Sequence, residues 1–357
     1  MTTKNLIGLA VAAVVLGGAA YMCGSGRKIK AASVNGKSVL EKFDVADVAK
    51  LEIGGAKKLT LAATDKGWAV ETLFGYPADV TKIRENLLKL ADLKVGQVAP
   101  GIKLDKPISV SVKDAKGKEL AKATLGDQHK SKPKGQASMY GGGGYPDGRY
   151  VKFGEKTVLV KDTLDAFDGD FKKWIDARIC AVPSADVKAV SFAKGKEKVE
   201  LTKKDSTWTL AGLGPKEELD TSKTYSLDSA LSYLDLNGVA DPKLTEKDLG
   251  FATGSVYTVS LKDGKSYIAT VGNAAGSDRY FKVAASFKAV GTNATENAKL
   301  EKDVKAFNDK TAKWVYTISS YSADSMSKTR KDLVKAKEEP KKDDAKKEEP
   351  KKDEKKK

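Results

Sequence analysis

The residues able to do chemistry are few and scattered. His129 is the only histidine, so paired-histidine catalysis and multi-histidine metal sites are excluded. It lies in the polar stretch GDQHKSKPKGQ and reads as an exposed, solvated side chain. Cys180 sits in the apolar context ARICAV with no histidine in sequence reach, which reads as a small core residue. Asp165, Asp168 and Asp170 cluster in DTLDAFDGDF without the spacing of a calcium loop, so no metal site is expected, and Asp168 reads as a helix cap. The glycine-rich run MYGGGGYPDG leads straight into GRYVKF, whereas a phosphate cradle needs a helix N-terminus after it. It reads as a hairpin tip, beside which Tyr140 and Tyr145 are candidate partner contacts. No cofactor is expected from these groups.

The phrase GRYVKF (148–153) returns as DRYFKV (278–283). VADVAKLEI (45–53) is answered by SADVKAVSF (184–192), and AFDGDFKKW (166–174) by AFNDKTAKW (306–314). Trp68 and Trp208 lie 140 residues apart, as do Trp174 and Trp314, with a drift in the offset between the pairs. A drift that restores itself implies two copies of one unit with altered loops. The second copy has Lys305, Asn308 and Lys310 opposite the three aspartates, and Asn308 could cap as Asp168 does. The four tryptophans read as matched core anchors. In the repeated phrase, alternation sends valine and phenylalanine inward and leaves arginine and lysine near an edge or surface. Arg149 and Arg279 are then a candidate ligand-facing pair.

These residues need elements to hold them. KLTLAATD and GWAVE alternate in hydrophobicity around a turn at Asp65–Gly67 and read as a hairpin. From Asp79, a plausible N-cap, Val80, Ile83, Leu87 and Leu90 recur at spacings of three and four, which predicts a helix with one apolar stripe. PISVSVKDAKGKELAKATLG predicts two strands joined at Lys116–Gly117, and GRYVKF and TVLVKD two more, before a helical segment toward Trp174. The second copy repeats the plan, with VYTVSLKDGKSYIATVG as a hairpin and Tyr225–Leu236 as the first helix. The expected fold is α+β: two tandem similar domains, each an antiparallel meandering sheet with helices on one side.

The ends differ from the middle. Leu6–Met22 is uncharged and mostly apolar, and as a helix of about 1.5 Å per residue it would just span a bilayer. The length favours an uncleaved anchor; a cleaved signal, with Gly18 and Ala20 at its site, and a lipidated Cys23 remain the alternatives. From Lys335 the chain is lysine, acids, proline and alanine, too poor in apolar surface to offset its ordering entropy. The expected division is 1–30 anchor or signal, 31–182 first repeat, 183–326 second repeat, and 327–357 disordered lysine-rich tail. A net charge of +16 draws the chain toward anionic surfaces. Only six of its cations are arginines, the side chain with the fork that reads bases, so sequence-specific nucleic-acid binding is not expected.

In this order, the N-terminal apolar segment, the VAKLEI to GWAVE hairpin, the helix IRENLLKLADLKV, the strands LDKPISVSV and LGFATGSVYTVSL, GRYVKF and the WIDARI join resemble the bacterial envelope family called domain of unknown function 4340. The resemblance runs from about Leu6 to Met326. It implies an inner-membrane protein with one pass and its bulk in the periplasm, often associated with ABC-transporter components of the gliding-motility type, and it transfers no functional residues. The expected function is therefore a noncatalytic scaffold or accessory protein for an inner-membrane complex. The alternative is a binding protein for an anionic envelope polymer or membrane surface, held by the lysine field. An enzyme ranks behind both, because carboxylates alone would have to do its chemistry and no pair stands out.

Overall fold

A computed structural model describes residues 34–131 and 144–337. The expected anchor Leu6–Met22, Cys23 and Tyr140 lie outside the described residues, and among those described no helix is long and apolar enough to cross a membrane. The chain divides into two compact units, Met1–Ile175 and Asp176–Lys357. Both are mostly antiparallel β-sheet with a few helices, an α+β architecture.

Unit 1 contains β1 (Lys50–Gly54), β2 (Leu59–Thr64), β3 (Gly67–Val70), β4 (Tyr76–Pro77), helix α1 (Val80–Ala91), β5 (Gln97–Val98), β6 (Ile108–Lys113), β7 (Glu119–Lys130), β8 (Pro146–Phe153) and β9 (Lys156–Val160). They form a nine-stranded sheet in the order β4-β3-β2-β1-β6-β7-β8-β9-β5. Two meanders, β1 to β4 and β6 to β9, join where β6 lies against β1, and β5 returns alone to the far edge. Alternation selects the inner face: Leu51, Ile53, Leu59, Leu61, Val110, Val112, Val151 and Val158 are buried while their neighbours are not. Asp79 caps α1, accepting from the backbone N–H groups of Thr81 at 2.9 Å and Lys82 at 3.2 Å. The helix turns Ile83, Leu87 and Leu90 into the core. Val80, expected on the same stripe, is instead 55% exposed, because it starts the helix on its outer flank. The segment toward Trp174 is two single 3-10 turns, Asp165–Asp168 and Phe171–Lys173, that bury Phe167 edge-on against Trp174.

Unit 2 contains β10 (Arg178–Cys180), β11 (Val187–Lys194), β12 (Glu197–Lys204), β13 (Thr207–Leu210), β14 (Glu217–Leu219), β15 (Leu234–Asp235), β16 (Gly238–Val239), α2 (Glu246–Leu249), β17 (Ser255–Leu261), β18 (Lys265–Ala275), β19 (Asp278–Phe287), α3 (Ala294–Thr311), β20 (Tyr316–Ser319), α4 (Ser320–Ser325), α5 (Arg330–Leu333) and β21 (Val334–Ala336). Its eight-stranded sheet runs β13-β12-β11-β17-β18-β19-β20-β16. Read strand for strand, this is the unit 1 order without β4, with β11 in the place of β1, β17 in that of β6 and β19 in that of β8.

Two expectations are corrected here. Tyr225–Leu236 is not a helix: the segment runs as turns whose N–H groups reach back three residues, Leu227 to Thr224, Ser229 to Ser226 and Ser232 to Ser229. Ser229 acts against a helix, since a hydroxyl that bonds its own neighbourhood competes with the helical ladder, as it does at the Ser226 carbonyl. The leucines still reach the core, with Leu227, Leu231 and Leu234 buried. The ordered fold also continues past Met326, the boundary expected for the tail. A Thr329–Asp332 capping box starts α5, Leu333 is fully buried, and β21 pairs with β14, helped by Arg330 on Glu217 and Lys335 on Glu218. One deep leucine and four charge-bearing partners fix a segment whose composition alone reads as solvated.

Candidate functional site

The two arginines of the repeated phrase have different fates. Arg149 is only 3% exposed, against the expectation that it lies near the surface. Its Nε donates to the Gly126 carbonyl at 2.8 Å, its Nη1 to those of Leu164 at 3.0 Å and Thr163 at 3.2 Å, and its Nη2 to Asp168 Oδ1 at 2.6 Å. Asp168 is therefore the counter-ion of Arg149 and not a cap. The acids beside it are also occupied: Asp165 accepts from Gln128, and Asp170 caps the turn at Phe171. Asn308, expected to match Asp168, brackets Ala285 of β19 instead, donating to its carbonyl at 2.9 Å and accepting from its N–H at 2.8 Å.

Among the described residues no hydrogen bond or ion pair engages the Arg279 guanidinium. It lines a polar cleft of about 470 Å³ in unit 2. Lys194 at the end of β11 supplies a second cation and Asp324 of α4 an acid. The floor is the bulge in β18, where the register against β19 slips between Val271 and Ala274. Gly272 stands there because a Cβ would collide with the Leu249 carbonyl. Ser255, at the start of β17, is 7% exposed and lines the cleft, and no hydrogen bond engages its hydroxyl among the described residues.

Unit 1 carries a different recess. Between the 3-10 turn Val45–Asp47 and α1 runs a groove of about 400 Å³ with Trp68, Ile83 and Leu87 along it, and with Asp44 and Arg84 among its lining. Val80 at 55% and Leu88 at 44% exposure are its outward apolar walls. The corresponding strand of unit 2 places Trp208 in a polar setting, with Lys203 over its ring at 5.6 Å and paired to Asp228 at 2.5 Å. Trp174 and Trp208 are buried as core anchors, but Trp68 and Trp314 are only half-buried.

The remaining expected residues are apart from both recesses. Tyr145 is 82% exposed at the foot of β8. His129 lies in strand β7 and not in a loop, half-buried, with Nδ1 against Asp147 at 2.5 Å and its ring edge-on to Tyr150. Cys180 is buried, which pushes its thiol up to about 12 and leaves it protonated and inert. Among the described residues no group of histidine, cysteine and carboxylates is gathered for a metal. Ser255, Lys194 and Leu88 carry no signal in the sequence, and Val80 reads there only as part of the helix stripe. The readable signal for the cleft was the arginine kept at the same place in both copies of the repeated phrase.

Compared with known proteins, residues 68–253, just over half of the chain, match a family model described as Domain of unknown function (DUF4340). No curated protein matches, and no solved structure matches.

Proposed function

Since this chain belongs to the family described as Domain of unknown function (DUF4340), a description that assigns no chemistry, we propose that it works by binding. It is a noncatalytic scaffold or accessory protein, built of two tandem copies of one ancestral module. Leu6–Met22 moors it to the inner membrane with its bulk in the periplasm, and its partner is an inner-membrane protein complex of the ABC-transporter type. The observation that carries this reading is the unit 1 groove. Its centre is apolar, from Trp68, Ile83 and Leu87, and charged groups from Asp44 and Arg84 accompany it, the composition of a protein contact patch rather than of a small-molecule site. Val80 and Leu88 present side chains that water solvates poorly and that a partner helix would cover.

The test is recovery of the full-length protein from solubilised membranes, beside the double variant Val80→Glu, Leu88→Glu. Both positions are exposed, so the fold should survive the change. Integral membrane proteins should accompany the parent chain and be lost with the variant. An unchanged set of companions, or none in gentle detergent, would overturn the proposal.

A further inference from the structure

The bulge beneath the unit 2 cleft has a counterpart in unit 1, where β7 slips against β8 between Leu125 and Gln128. The ladders fix which residues correspond. Leu125 faces Ile108 and Val151, while Val271 faces Ser255 and Phe281, so Ile108 answers to Ser255 and Arg149 to Arg279. Within the bulges Gly126 and Asp127 answer to Gly272 and Asn273. Gly54 opposite Ser109 and Ala193 opposite Val256 set Gly55 against Lys194.

The differences on the strands around the arginine favour an anion. Unit 2 has a lysine for Gly55, a serine for Ile108 and an asparagine for Asp127. On these strands one acid is gone and a cation is added, while the segment after β20 brings Asp324 as the segment after β9 brings Asp168. In unit 1 the arginine is consumed by three carbonyls and a carboxylate, and the bulge is plugged. In unit 2 the same arginine, half-buried and without a hydrogen-bond or ion-pair partner among the described residues, faces open space beside a second cation. A partly desolvated guanidinium is stabilised only when something negative is near it, and Asp324, the one acid lining the cleft, forms no ion pair with it. Ser255 is 7% exposed as a residue, and its hydroxyl, with no hydrogen-bond partner among the described residues, opens onto the same space as a ready donor.

We propose that this cleft binds an oxyanion, a phosphoryl or carboxylate group, carried on a small hydroxylated skeleton. Arg279 supplies the fork, Lys194 a point charge and Ser255 a hydroxyl donor. The opposite wall accepts. The Asn273 amide spends its NH2 on the carbonyls of Lys247 and Asp248, at 3.1 Å each, which turns its oxygen to the role of acceptor. Ser327 donates to the Ala323 carbonyl at 2.9 Å and keeps its lone pairs, and the Asp324 carboxylate accepts from ligand hydroxyls. A volume of about 470 Å³ suits a group the size of one sugar or polyol. The site is separate from the unit 1 groove and does not depend on the scaffold reading.

Calorimetric titration of the full chain with glycerol 3-phosphate, glucuronate and neutral glucose tests it. At least one of the two anions should bind with a Kd of about 1 mM or tighter, and glucose should not. Whichever anion binds tells phosphoryl from carboxylate chemistry. Arg279→Gln should weaken binding by about tenfold or more, the ratio expected for one charge-assisted pair, with an unchanged melting temperature. Lys194→Ala should weaken it too. Lys188→Ala, an exposed lysine of β11 outside the cleft lining, should not, which separates the cleft from the general positive field. Anions that bind no better than glucose, an Arg279→Gln chain that binds as the parent does, or equal losses at Lys188 and Lys194 would each overturn the proposal.

Discussion

Arg149→Met isolates what the plugged bulge contributes. Methionine retains an apolar stem in the arginine's channel and removes the guanidinium. Three carbonyls, of Gly126, Thr163 and Leu164, lose a donor at 2.8 to 3.2 Å, and Asp168 loses its ion pair. Asp168 is 45% exposed and rehydrates, so its share of the loss is small. The carbonyls that open onto the former guanidinium do not rehydrate so easily, and a buried acceptor left without a donor costs about 1–3 kcal/mol. Summed with allowance for relaxation, the change should cost about 3–5 kcal/mol, the range for breaking a buried charged contact from one side. For a unit of this size about 1 kcal/mol moves the midpoint by about 2–4 °C, so unit 1 should melt about 6–20 °C lower. Arg279→Met is the internal control, because it removes no bond and should stay within about 0.5 kcal/mol of the parent. Scanning calorimetry of both variants decides the matter. An Arg149→Met chain melting within about 3 °C of the parent, or equal losses in the two variants, would refute the reasoning.

Other consequences can be measured separately. In a Cys23→Ser background, Cys180 should react with a thiol reagent at about pH 8 only as fast as unit 2 opens, since burial holds the thiol protonated; rapid labelling of the folded chain would contradict this. The segment 330–337 should loosen in acid. Asp332 is held below its ordinary value by the Thr329 N–H, Glu217 by the Gly214 N–H and then Arg330, and Asp220 by the Ser222 hydroxyl. Carboxylates lowered in the folded state contribute stability above their unfolded values and lose it as pH falls through the folded ones. Hydrogen exchange there, corrected for its intrinsic pH dependence, should be steady from about pH 5 to about pH 8 and rise below about pH 4, and an acid-insensitive segment would count against the assignment. Leu333→Ala removes a fully buried side chain and should cost about 2–5 kcal/mol, seen as early proteolysis after Leu333 while the central strands stay protected.

Local periodicity carried the elements whose causes are local. Asp79 and the three-four spacing that follows it specify α1, and alternation specifies β6, β7, β17 and β18. It misled at Tyr225–Leu236, where leucines at helical spacing are interleaved with serines, of which Ser229 bonds backward. It also missed the return of β5 to the edge beside β9, a pairing between segments about 60 residues apart that leaves no local trace. Arg149 was misplaced because residue type stood in for environment: an arginine goes inward when carbonyls and an acid await it, and those came from Gly126, Thr163, Leu164 and Asp168 on other turns. Asp168 was on view in the sequence, but its pairing with Arg149 is a contact between segments that local pattern does not reveal.

The margins of the two sheets carry a last consequence. Among the described residues the unit 1 sheet ends on both sides in two-residue strands, β4 and β5, and Pro77 of β4 has no N–H to offer. The unit 2 sheet ends in the equally short β16 on one side. Such stubs give a neighbouring chain almost no ladder to extend, so concentrated protein should resist growing edge to edge into fibrils. At three of the four sheet edges, abrupt endings would then act beside the charge to keep a chain so rich in β-structure dispersed.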